Sequence, residues 1–144
     1  MKDDDMALLR ACSKGDASAV AALLADERLG VDLVQDMDDG LTPLIIASLK
    51  GHSEVVSMLL AKQGVDVNKA ADDGATPLFI ATYKGHSEVV SMLLAKQGVD
   101  VNQARDNRAA PLLIASQEGH AEVVSMLLAK QGVNVNQARD SSAV

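Results

Sequence analysis

Residues 38–71 read DDGLTPLIIASLKGHSEVVSMLLAKQGVDVNKAA, and residues 72–105 read DDGATPLFIATYKGHSEVVSMLLAKQGVDVNQAR. Twenty-eight of the 34 positions are the same, and residues 106–139 repeat the pattern with nine differences from the middle copy. A fixed period of this length is the mark of a repeat architecture, in which one small unit is copied and stacked. A looser copy precedes these three. Ala11, Gly15, Leu23 and Leu24 stand 36 residues before Ala47, Gly51, Leu59 and Leu60.

Each copy reads as two short helices and a projecting turn. Thr42-Pro43 opens the first helix, because threonine caps the first turn and proline lacks an N–H that would be unpaired there anyway. Gly51 closes it by taking the left-handed conformation after the last turn. The second helix begins at once, with Glu54 in its first turn favoured by the helix dipole. Its apolar residues Val55, Val56, Met58, Leu59 and Leu60 form a stripe too wide for one neighbour. Gly64 stops it, and the chain then runs extended into Asp72-Asp73-Gly74, where Asp-Gly signals a tight turn. A single unit cannot bury such faces, so the copies must stack. The expected fold is an all-α solenoid of four helix-turn-helix repeats with projecting β-turn fingers. One domain spans 1–144: a degenerate repeat at 1–37, close repeats at 38–71, 72–105 and 106–139, and the start of a further finger at 140–144.

Those motifs resemble a known family. The pattern G-x-T-P-L-x-x-A at Gly40–Ala47 and Gly74–Ala81, followed by G-H-x-E-V-V-x-x-L-L and G-V-D-V-N, is similar to the ankyrin repeat, and the likeness covers residues 7–139. Three departures stand out. Ile45, Phe79 and Leu113 replace the usual histidine of the T-P-L-H tetrapeptide. An extra residue falls at Lys62-Gln63, Lys96-Gln97 and Lys130-Gln131. In the last copy Arg108 replaces the turn glycine and Ala110 the capping threonine.

Composition narrows the function. The 144 residues carry 13 basic and 20 acidic side chains, so the net charge is 13 − 20 = −7. That acidity, with Tyr83 and Phe79 as the only aromatic residues, argues against nucleic acid, which calls for basic patches and stacking rings. No apolar run approaches a membrane span of about 18 residues. One cysteine excludes a disulfide framework and a cysteine-based zinc site. The N-terminal MKDDD does not read as a signal peptide, so the expected compartment is the cytoplasm, with the nucleus also open. Ten acids and four bases fall in residues 1–40, a local charge of −6 that would steer a basic partner to that end.

Catalytic and metal readings fail on their own chemistry. His52, His86 and His120 recur once per repeat, but neighbouring helices about 8–10 Å apart cannot bring them to one ion. They are read instead as starting each second helix and bonding a nearby turn. GHSEV lacks the final glycine of a nucleophile elbow and joins two helices rather than a strand and a helix. Aligning Gly40 with a calcium-loop glycine puts Ile46 where a glutamate is required. No phosphate-cradling glycine motif is present. Cys12 aligns with Ser48, Thr82 and Ser116, a small-residue packing slot. No enzyme, cofactor or metal is expected.

The expectation is a protein–protein interaction module. The first two close copies differ at Leu41/Ala75, Ile45/Phe79, Ser48/Thr82, Leu49/Tyr83, Lys69/Gln103 and Ala71/Arg105. These positions lie on the first helix and the finger, which the family resemblance makes the concave partner-binding face. The candidate contacts are Asp38, Asp39, Leu41, Leu49, Lys50, Asp72, Asp73, Ala75, Tyr83, Lys84, Asn107, Ala109, Gln117 and Glu118, with Tyr83 as anchor. The resemblance also implies asparagine hydroxylation at Asn68, Asn102 and Asn136. Alternatives are a consensus-like engineered scaffold without a native partner, or a regulatory fragment of a larger protein, since the chain ends in a fresh finger. The last repeat has no polar cap, so Val123, Met126 and Leu127 are expected to face water and to offer a route to self-association.

Overall fold

The computed structural model describes residues 3–28 and 40–135. Among them are eight helices and no strand: α1 (Asp3–Lys14), α2 (Ala17–Leu24), α3 (Pro43–Lys50), α4 (Ser53–Ala61), α5 (Pro77–Lys84), α6 (Ser87–Ala95), α7 (Pro111–Glu118) and α8 (Ala121–Ala129). They form four antiparallel pairs. The first helices α1, α3, α5 and α7 pack in one row and the second helices α2, α4, α6 and α8 in another. The all-α solenoid expected from the period is the fold observed.

The local signals act as their chemistry requires. Thr42 Oγ1 accepts the Ile45 N–H at 3.2 Å and Thr76 Oγ1 accepts the Phe79 N–H at 3.1 Å, while Ala110 makes no such bond. Gly51 closes α3 at φ 75°. Between α4 and α5, the Gly74 N–H donates to the Ala71 carbonyl at 2.9 Å and the Ala71 N–H to the Ala75 carbonyl at 3.0 Å, which folds the finger back on itself. The Asp106 N–H then donates to the Asp73 carbonyl at 3.0 Å and joins one finger to the next. Arg108 has φ 69°, the one positive value on a non-glycine residue among those described, so the last finger keeps the glycine geometry on a residue with a Cβ.

Three ladders run along the stack, each linking one repeat to its neighbour. His52, His86 and His120 place Nε2 3.0, 3.1 and 3.0 Å from the carbonyl oxygens of Ser13, Leu49 and Tyr83. A carbonyl only accepts, so each Nε2 carries the proton. Lys62, Lys96 and Lys130 donate from Nζ to the carbonyls of Leu24, Leu60 and Leu94 at 2.7, 2.8 and 2.8 Å. These carbonyls end the preceding second helix, where no intrahelical partner is available. Asn68 donates from Nδ2 to the Gly98 carbonyl and accepts the Asp100 N–H, both at 2.8 Å; Asn102 repeats this with Gly132 and Asn134. The histidines therefore bond the preceding repeat's first helix rather than a turn of their own.

The apolar core follows the same direction. Leu59, Leu93 and Leu127 are all fully buried, as are Val55, Val89 and Val123. Val56, Leu60, Val90 and Leu94 are buried by the following repeat. On α8 the matching Leu128 is 51% exposed, against 8% for both Leu60 and Leu94. This corrects the expectation for the last repeat. Val123 and Leu127 face their own helical hairpin and stay buried, and Met126 is half-buried. The open strip runs through Val124, Ser125 and Leu128.

Candidate functional site: the first-helix face

The row of first helices and the fingers beside it carry most of the predicted contact residues. Lys50, Lys84, Gln117 and Glu118 end α3, α5 and α7 and are exposed. Leu49 is half-buried one residue before Lys50. At the same position of α5, Tyr83 is 41% exposed, one of three large apolar side chains so placed among the described residues. The Lys84 Nζ lies 5.7 Å from the Tyr83 ring centroid, a cation–π arrangement that holds both side chains on the surface. The fingers add Asp72, Asp73 and Asn107, all exposed. Asn107 Oδ1 accepts the Ala109 N–H at 3.0 Å, and Asp73 Oδ1 does the same for Ala75 at 3.0 Å, so each holds its own turn. Leu41 is half-buried between finger and helix. Asp38, Asp39 and Asn136 lie outside the described residues.

Two predicted contacts fall elsewhere. Ala75 is 1% and Ala109 7% exposed, packed with Phe79 and Ile114 in a small apolar cluster under the fingers. A methyl side chain there lets the stacked fingers close on the helices, so both residues support the face from below. Several positions that vary between copies are also internal. Ile45, Phe79, Ser48 and Thr82 are buried, and the hydroxyls of Ser48 and Thr82 have no hydrogen-bond partner there. Variation along the first helix therefore mixes two causes, repacking beneath and presentation above. Only Leu49/Tyr83 and, in part, Leu41 belong to the second.

One brace was not legible in the sequence. Arg105 donates to Asp73 Oδ2 at 2.7 Å and lies 5.7 Å over the Phe79 ring, tying one finger to the next and to the buried aromatic. The signal was present in the Ala71/Arg105 difference, but nothing in the period says which acid Arg105 meets.

Cys12 is fully buried, and burial pushes its thiol from an ordinary pKa of 9.0 up to about 12, so it carries no nucleophilic thiolate at neutral pH. Asn68 and Asn102 use both ends of their carboxamides to join adjacent repeats. No group of three or more His, Cys, Asp or Glu side chains could hold a metal ion among the described residues. No helix among them is long and apolar enough to cross a membrane.

The family model for ankyrin repeats matches the chain over residues 1–71 and 63–139. With the threonine-capped first helices, the turned fingers and the inter-repeat ladders in place, the chain belongs to the ankyrin-repeat family. A search of curated proteins finds no match. Ankyrin repeats are in general modules that bind other proteins.

Proposed function

We propose that this protein binds another protein through the face formed by its first helices and fingers, without chemistry of its own. The observation that carries the reading is Tyr83: an aromatic ring at the middle of the row, 41% exposed and braced by Lys84, with Leu49 at the same position one repeat earlier. Tyrosine in such a setting supplies large contact area at low entropic cost. The three ladders fix the surface before any partner arrives, which spares ordering entropy on binding. Tyr83, Leu49, Lys50 and Lys84 would make the central contacts, with Asp72, Asp73, Asn107, Gln117 and Glu118 around them. We place the protein in the cytoplasm, where its single thiol stays reduced.

Capture of partners from cells of the source by covalent crosslinking at the first-helix face tests this, with Tyr83→Ala and Leu49→Arg in parallel. Tyr83→Ala should move stability by less than about 0.5 kcal/mol, as an exposed site does, yet weaken binding by about 1 kcal/mol or more. A variant that loses more than about 2 kcal/mol of stability would put the ring in the core instead.

A further inference from the structure

Two recesses sit next to each other along the first-helix row, one between the first and second repeats and the other between the second and third, and Leu41 lines both. One, of about 360 Å³, is floored by Met6, Leu9 and Ile46 and edged by Arg10 and Lys50. The other, of about 300 Å³, is walled by Ile45, Ala75 and Ile80 and edged by Asp72 and Asp73. Apolar side walls thus run between a cationic end and an anionic end. Among the described residues, Arg10, Lys50 and Asp72 form no ion pair, while Asp73 is held by Arg105 at 2.7 Å.

Among the described residues, a cation at this first-helix position beside a leucine ridge occurs once. Arg10 stands where the later copies have Ile46, Ile80 and Ile114, and Leu41 where they have Ala75 and Ala109. The degenerate first repeat therefore places a cation where the regular copies carry isoleucine. The ridge that divides the recesses is lost one repeat later, where alanine lies buried beneath the next finger.

We propose that these two recesses form one seat for an extended partner segment: an apolar side chain on each side of Leu41, a carboxylate toward Arg10 and Lys50, and a lysine or arginine toward Asp72. The proposal rests on the interaction reading above and adds the chemistry and polarity of the partner. Opposite charges at the two ends fix the direction in which a segment lies, and a segment laid the wrong way meets like charge at both. The isoleucine and leucine walls supply the apolar burial.

Fluorescence anisotropy with labelled synthetic peptides tests it. The probes are short peptides with two leucines flanked by Glu on one side and Lys on the other, in both orders. Controls carry Glu on both sides, Lys on both, or Ser on both. One mixed order should bind about tenfold more tightly than its reverse and than every control. The double variant Arg10→Gln/Lys50→Gln and the single variant Asp72→Asn should each weaken it, with unchanged urea midpoints, and added salt should weaken it as well. Equal binding of the Ser-flanked peptide, indifference to both charge variants, or no binding of any probe overturns the seat. Binding that is lost in Tyr83→Ala but indifferent to Arg10, Lys50 and Asp72 overturns the seat and leaves the first-helix face standing as the interaction surface.

Discussion

The Nε2 of His86 stands 3.1 Å from the carbonyl oxygen of Leu49, and the imidazole covers Gly51 closely enough that a Cβ there would lie 2.8 Å from the ring. The pair joins the start of one second helix to the end of the preceding first helix. His52 over Gly15 and His120 over Gly85 repeat it. The glycine thus has two duties: its left-handed φ ends the helix, and its missing side chain admits the neighbour's ring.

His86→Ala should cost about 1–3 kcal/mol, because the Leu49 carbonyl loses its side-chain partner and the packed ring goes with it. Gly51→Ala should also destabilise. In the His86→Ala background its cost should fall, since the clash is removed and only the φ strain remains. A double-mutant cycle by urea unfolding measures this coupling. Strict additivity would separate the two residues.

The last repeat lacks two features of its predecessors. Ala110 gives α7 no side-chain cap, and Arg108 holds φ 69°. Ala110→Thr should stabilise by about 0.5–2 kcal/mol, and Arg108→Gly should relieve left-handed strain of about 1–2 kcal/mol, less the entropy glycine adds to the unfolded chain. Amide exchange in residues 121–129 should slow in the double variant and stay unchanged in residues 53–61.

The Cys12 thiol, raised by burial to about 12, is neutral in the fold, while the same thiol in the unfolded chain ionises near 9.0. The folded pKa is the higher one, so this group's contribution is complete below pH 9 and is lost as pH rises toward 12. Stability should fall with alkali across that window, and Cys12→Ala should flatten the fall. Iodoacetamide at pH 8 should leave native Cys12 unmodified and label it in urea.

Much of this architecture was legible because its determinants are local. Thr42, Thr76 and Gly51 each satisfy or end a helix within a few residues of themselves, and Arg108 inherits its φ from Gly40 and Gly74 by position. What was not legible depends on neighbours in space. The stripe Val123, Val124, Met126, Leu127, Leu128 wraps most of α8, so periodicity marks it as apolar without saying which side meets the next repeat. Ala75 and Ala109 vary little in character between a surface finger and a closed one, and only the packing of Phe79 and Ile114 separates the two. Lys62, Lys96 and Lys130 looked like the site of an extra residue. Their role, donating to the preceding helix's last carbonyls, needs the stacking distance as well as the sequence.

That each repeat is completed by its neighbour is tested most directly at two leucines in nearly the same sequence. Leu94 in SEVVSMLLA is 8% exposed beneath the following repeat, and Leu128 in AEVVSMLLA is 51% exposed. Urea unfolding of Leu94→Ala and Leu128→Ala compares them with local propensity held constant. Leu94→Ala should lose about 2–5 kcal/mol, and Leu128→Ala should lose well under half as much. Equal losses at the two sites would contradict the account.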